Sequence, residues 1–265
     1  MACLAAVTAT LAGGPAHAAT FAAVASPPRF ELTGGPGETI RETLEISNAD
    51  AEAGNYRLFT NDWQLDAGGG PTFQDELATN TCRPWVALER RSILLNPNGV
   101  RKIRFEVQIP ADAPVGECRF AIMVEQDEGT LSKAMAGNLP VPVQGRIAVI
   151  VYVRIGSAAP KLRLLDVHLS QINGQAIPVA KVINEGAAHD RLDGVLAVTD
   201  ADGQKINFAV SQRPILGGET RDLPFAVHVA DQDEKPASKW RAPMQLKGTL
   251  EAESGLKIPI DLQLR

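Results

Sequence analysis

The run Ile103, Phe105, Val107 and Ile109, interleaved with Arg104, Glu106 and Gln108, sets the strictest limit on what this chain can become. Apolar and polar residues that alternate at every second position put one face to a core and one to water, the pattern of a half-buried β-strand. The same period recurs at Leu44/Ile46, Phe120/Ile122/Val124, Leu223/Phe225/Val227/Val229 and Leu256/Ile258/Ile260/Leu262/Leu264, with no comparable helical stripe. Between these runs lie Gly34-Gly35-Pro36-Gly37, Asn96-Pro97-Asn98-Gly99, Ala113-Pro114-Val115-Gly116, Asp202-Gly203 and Gly217-Gly218, residues that favour tight reversals. Many short strands with regular turns predict an all-β chain. With 265 residues, 45% of them hydrophobic, there is material for two cores, so the expected architecture is two immunoglobulin-like β-sandwich domains in tandem.

The chain opens with a short apolar stretch ending in Ala16-His17-Ala18, the small-x-small form of a signal-peptidase site, although no basic residue precedes it. Residues 1–18 are read as a signal peptide cleaved after Ala18, which sends the protein to the periplasm. No segment approaches the roughly 18 uninterrupted apolar residues of a membrane span. Gly156-Ser157-Ala158-Ala159-Pro160 is suited to a short linker, dividing an N-terminal domain over 24–156 from a C-terminal β-sandwich over 161–265. Two short echoes join the halves: Pro36-Gly37-Glu38-Thr39 with Gly217-Gly218-Glu219-Thr220, and Ile46-Ser47-Asn48 with Val182-Ile183-Asn184. They fit shared turn chemistry as well as they fit a duplication. Cys3 leaves with the signal, and an oxidising compartment would join the remaining pair, Cys82 and Cys118, in a disulfide; two buried free thiols are the alternative.

The formal net charge of −5 is spread without a long acidic or basic run, which argues against nucleic acid or an anionic membrane surface as partner. His168, His189 and His228 stand singly, without the spacing of a metal-binding helix. There is no nucleophile elbow, phosphate-cradling loop or dinucleotide fingerprint, and bridged cysteines offer no nucleophile. Asp200-Ala201-Asp202-Gly203 lacks the later glutamate of a calcium loop and reads as a hairpin turn. The expectation is therefore a protein that is not an enzyme, holds no cofactor or metal, and acts by binding another polypeptide.

The segment Leu139 to Val153 alternates apolar residues for longer than any other, and Ala148, Ile150 and Tyr152 make its second face apolar as well. Such a strand is either central and buried or an edge that pairs with something else. Pro140 and Pro142 cannot donate to a ladder, which places its first half on an edge. Leu139, Val141, Val143, Ile147 and Val149 are then candidates to meet a partner's strand, where main-chain bonds give affinity and side-chain pockets give specificity. Completion of the domain's own core is the competing role for the same side chains.

These residues resemble the periplasmic chaperones of the chaperone–usher pilus pathway, chiefly over 24–155. Ala25-Ser26-Pro27-Pro28-Arg29-Phe30-Glu31-Leu32 is similar to that family's first strand, Leu44-Glu45-Ile46-Ser47-Asn48 to its second, and Leu139 to Val153 to its donor strand. The resemblance implies a fimbrial assembly chaperone that binds a pilin-like exported subunit by strand donation, with an outer-membrane usher as a further partner. It also implies that Arg29 grips the client's terminal carboxylate in the interdomain cleft, together with a second basic residue for which Arg146 is the candidate. The other reading is a structural or adhesive envelope protein that binds cell wall or a surface partner, marked by an exposed aromatic or polar patch on a sheet face.

Overall fold

The computed structural model describes residues 21–66, 68–78, 81–127, 132–136, 139–143, 145–229 and 239–265. The expected leader over 1–18 lies outside them. The alternation singled out above becomes strand β8 (Val100–Gln108), in which Ile103, Phe105 and Val107 are buried to 2% exposure or less. It pairs with β3 (Thr39–Asn48) on one side and β6 (Val86–Leu88) on the other, and β1 (Ala23–Ser26) flanks β3 to finish one sheet. The facing sheet runs β2 (Arg29–Gly34), β12 (Arg146–Ile155), β9 (Gly116–Gln126), β4 (Gly54–Leu65), β5 (Pro71–Gln74), with β7 (Ser92–Leu95) also on β4. Phe30 meets Phe105 edge-on across the gap, their centroids 5.1 Å apart. β10 (Ser132–Ala136) and β11 (Leu139–Val143) pair only with each other, as an arm between β9 and β12.

A second core is drawn from residues 162–264, with no member in common with the first, which spans 23–155. Its sheet is β13 (Leu162–Ile172), β14 (Gln175–Asn184), β18 (Thr220–Val227), β17 (Lys205–Val210), β16 (Val195–Thr199), β19 (Met244–Ala252), β15 (Leu192–Asp193), with β20 (Lys257–Leu264) on β19. Thr220–Pro224 of β18 pair with β14 and Phe225–Val227 with β17, so one strand serves both layers and the sheet wraps round its core. The protein is all-β, in two β-sandwich domains. Both sides hold the intervening segment: Gly156 donates to the Gly34 carbonyl, Ala187 to that of Ala159, and Lys161 to the Asn184 side chain.

The two echoes are reused turns. Glu38 and Glu219 each accept a bond from the main chain three residues earlier, at 2.8 and 3.0 Å, and each follows a glycine with φ near +80°. Asn48 and Asn184 are both buried; each side chain donates to loop carbonyls and accepts a main-chain N–H two residues on. A bridge joins Cys82 to Cys118, with Cα atoms 5.7 Å apart, tying the segment before β6 to the central strand β9.

Candidate functional site

Period two divides β12 between two environments. Val149, Val151, Val153 and Ile155 point into the domain's own core, all at 2% exposure or less, with Ile147 half-buried at its margin. This corrects the expectation for Val149: complete burial makes it a core side chain and not one turned to a partner. On the other face Ala148, Ile150 and Tyr152 join Ala121 and Met123 of β9 and Phe59, Trp63 and Leu65 of β4 in a separate apolar cluster, which Leu216 of the second domain also enters. Both faces of β12 are apolar because each packs on a different core.

The edges of β12 are unequal. β9 pairs with the whole strand, from Arg146 to Ile155, whereas β2 pairs with it only from Ile150 to Ile155. Among the described residues no strand lies on the second edge of Arg146–Val149. Upstream, Leu139, Val141 and Val143 fall on β11, whose backbone pairs with β10.

Where the two domains meet, β2, β9 and β12 face a compact polar cluster from the second domain. His189, with 1% of its side chain exposed, places Nδ1 2.7 Å from Glu117 Oε2, and its main chain donates to Glu117 Oε1. Its ring stacks on Tyr152 at 3.6 Å, and Trp63 meets Tyr152 edge-on. Arg191 donates to Glu31 at 3.0 Å, to Glu253 at 3.3 Å and to the Tyr152 hydroxyl at 3.2 Å. Glu31, His189 and Glu253 converge as three cation ligands would, but the Arg191 guanidinium stands among them, 3.1 Å from His189 Nε2, as the local positive charge. Burial pushes the Tyr152 hydroxyl up to about 12. Burial would also raise the Glu31 carboxyl, but His189, Arg29 and Arg191 outweigh it and hold that carboxyl below its ordinary range.

Arg29 belongs to this cluster, 2.8 Å from Glu31 and 3.7 Å from Glu253. Arg146 does not. It is matched to Glu125 at 3.8 Å, and the residue registered against Arg29 on β12 is Ile150, four positions on. At roughly 3.3 Å per residue that separates the two arginines by about 13 Å of strand. In this structure each arginine is instead paired with its own acids, Arg29 with Glu31 and Glu253 and Arg146 with Glu125, so the expected Arg29–Arg146 pair is not assembled here. His189, Arg191, Glu117 and Glu253 carry no local sequence signal, because the cluster forms only when the domains dock.

No protein-family model matches the sequence, and no curated protein does. Solved structures match. The YadV chaperone superposes with a TM-score of 0.50 at 10% identity, over 91% of this chain and 99% of that one. The fold is that of the YadV chaperone. The CupB2 chaperone of Pseudomonas aeruginosa gives 0.47 at 12% identity, over 91% and 100% of the two chains. The SafB chaperone, solved with the Salmonella enterica SafA pilin, gives 0.49 at 13%, over 93% and 98%.

Proposed function

We propose that this chain is a periplasmic assembly chaperone that captures exported, pilin-like subunits by lending them the strand that runs from Leu139 into the start of β12. The observation that carries this reading is the edge of β12 left uncovered by β2 at Arg146–Val149, continuous with the apolar alternation of β11. An uncovered edge offers main-chain donors and acceptors to an incomplete sheet, and the alternating side chains offer the pattern its groove requires. An outer-membrane usher is the natural acceptor of such a complex. The adhesive reading has less behind it. Among the described residues no Phe, Tyr or Trp is fully exposed, and the three tryptophans, Trp63, Trp85 and Trp240, all pack against cores, which gives that reading no aromatic patch to rest on.

The test is co-expression with a fimbrial subunit that lacks its completing strand. Val141→Asp should abolish capture while the melting temperature stays within a few degrees of wild type, since the charge enters the partner's groove. A variant that unfolds, or one that still captures, would sink the strand-lending reading.

A further inference from the structure

The apolar alternation Leu139, Val141, Val143, Ile147, Val149 has one gap, Gly145. No backbone conformation demands glycine there, because Gly145 is not among the glycines with positive φ. Space demands it. A Cβ built on Gly145 would overlap the ring and Cβ of Phe21, which lies directly over that position. Gly145 continues the ladder into β12, its carbonyl accepting from the Gln126 main chain at 3.1 Å. Period two puts it on the side of Ile147, and Phe21 packs against the same core margin as Ile147. The Ala22 carbonyl accepts from the Ala49 main chain, fixing the segment just after Phe21, and the Phe21 ring meets Tyr56 edge-on at 6.2 Å.

Resting on the strand-lending reading above, we infer that Phe21 supplies from the N-terminal segment the side chain that Gly145 lacks, and thereby selects subunits whose groove has a socket wide enough for an aromatic ring. The row then runs Leu139, Val141, Val143, Phe21, Ile147. Its aromatic member stands at the boundary between the part of the strand that fills its own core and the part offered outward. Phe21 is half-buried, so one side of the ring remains for a partner. A ring borrowed from another segment gives a wider contact than any side chain the strand could carry at 145, where the backbone lies against the segment that brings Phe21.

The experiment measures capture by the purified full chain of two probes made without their completing strand, the SafA pilin and the CsuE tip subunit that other proteins of this fold hold. Phe21→Ala should weaken capture about tenfold, the scale of one well-packed aromatic contact, with little change in melting temperature. Adding Gly145→Val to Phe21→Ala should recover most of that loss, because the strand then fills the position itself. If Phe21→Ala lowers the melting temperature by more than about 5 °C, Phe21→Leu carries the test, with a several-fold loss expected. Wild-type capture by these variants while Val141→Asp captures nothing would overturn the role of Phe21 and leave the strand-lending site standing. Capture unaffected by Val141→Asp, or neither probe held by the wild-type chain, would overturn the site and this inference together.

Discussion

Tyr152 illustrates how one side chain serves two cores at once. On β12 it alternates with Val151 and Val153 of the first core, yet its ring is stacked on His189 and its hydroxyl accepts from Arg191, both from the second domain. Burial makes the ionised phenol costly, hence the rise to about 12 against an unfolded value near 10. Because the folded value is the higher one, this residue's contribution is fully present below pH 10 and is lost as pH rises from 10 to about 12. Its size is of order 2 to 3 kcal/mol across that window. Tyr152→Phe has no phenol to ionise. Urea midpoints measured from pH 9 to 12 should therefore fall less steeply for the variant than for wild type, and parallel curves would refute the assignment. The sequence displayed Tyr152 as part of an apolar second face, but gave no means of telling that His189 and Arg191 would cover it.

The strands themselves were largely legible, because burial on one face writes its period directly into the residues. β8 and β20 follow the alternation of Ile103 to Ile109 and Leu256 to Leu264 closely. Asp200 accepts main-chain bonds from Asp202 and Gln204, the hairpin turn expected between β16 and β17. The hairpin of β13 and β14 closes on Asn173 and Gly174, both with positive φ, a two-residue signal as strong as any in the chain that an argument built on alternation passes over. Strand pairing was the illegible part, since which edge of β12 stays open depends on where β2 ends. The Cys82–Cys118 bridge acts at this scale, fastening a loop to a central strand across a sequence separation of 36. In the chain-entropy model such a closure contributes about 4 kcal/mol. Reduction should lower the melting temperature of the N-terminal domain and leave that of the second, which has no cysteine, where it was. Calorimetry with and without reductant checks this, and equal shifts in both transitions would count against it.

At the scale of the whole molecule the two sandwiches are joined by more than a linker. Leu216 enters the apolar cluster on the outer face of β12. The turn between β4 and β5 approaches Arg213 and Arg221 closely, and a Cβ at Gly69, whose φ is +78°, would meet the Arg213 side chain. Between these contacts lies the polar cluster, in which Arg191 alone touches Glu31, Tyr152 and Glu253. Neither core includes Arg191, so removing it should leave each domain folded. What it should remove is the joint. With the guanidinium gone, Glu31 and Glu253 would be left with Arg29 alone, and because both carboxylates are partly exposed the loss is of order 1 kcal/mol rather than that of a fully buried pair. Arg191→Met keeps the apolar bulk over Tyr152 while deleting the charge, which separates packing from electrostatics. Small-angle scattering should then report a larger radius of gyration than wild type. Glu31 adds a pH dependence of known sign: its carboxyl is held below the ordinary range, so its share of the joint is present above about pH 4.5 and lost as acid protonates it. Wild type taken below that pH should approach the scattering profile of Arg191→Met at neutral pH. Identical profiles for variant and wild type at neutral pH would mean that the apolar contacts hold the domains by themselves.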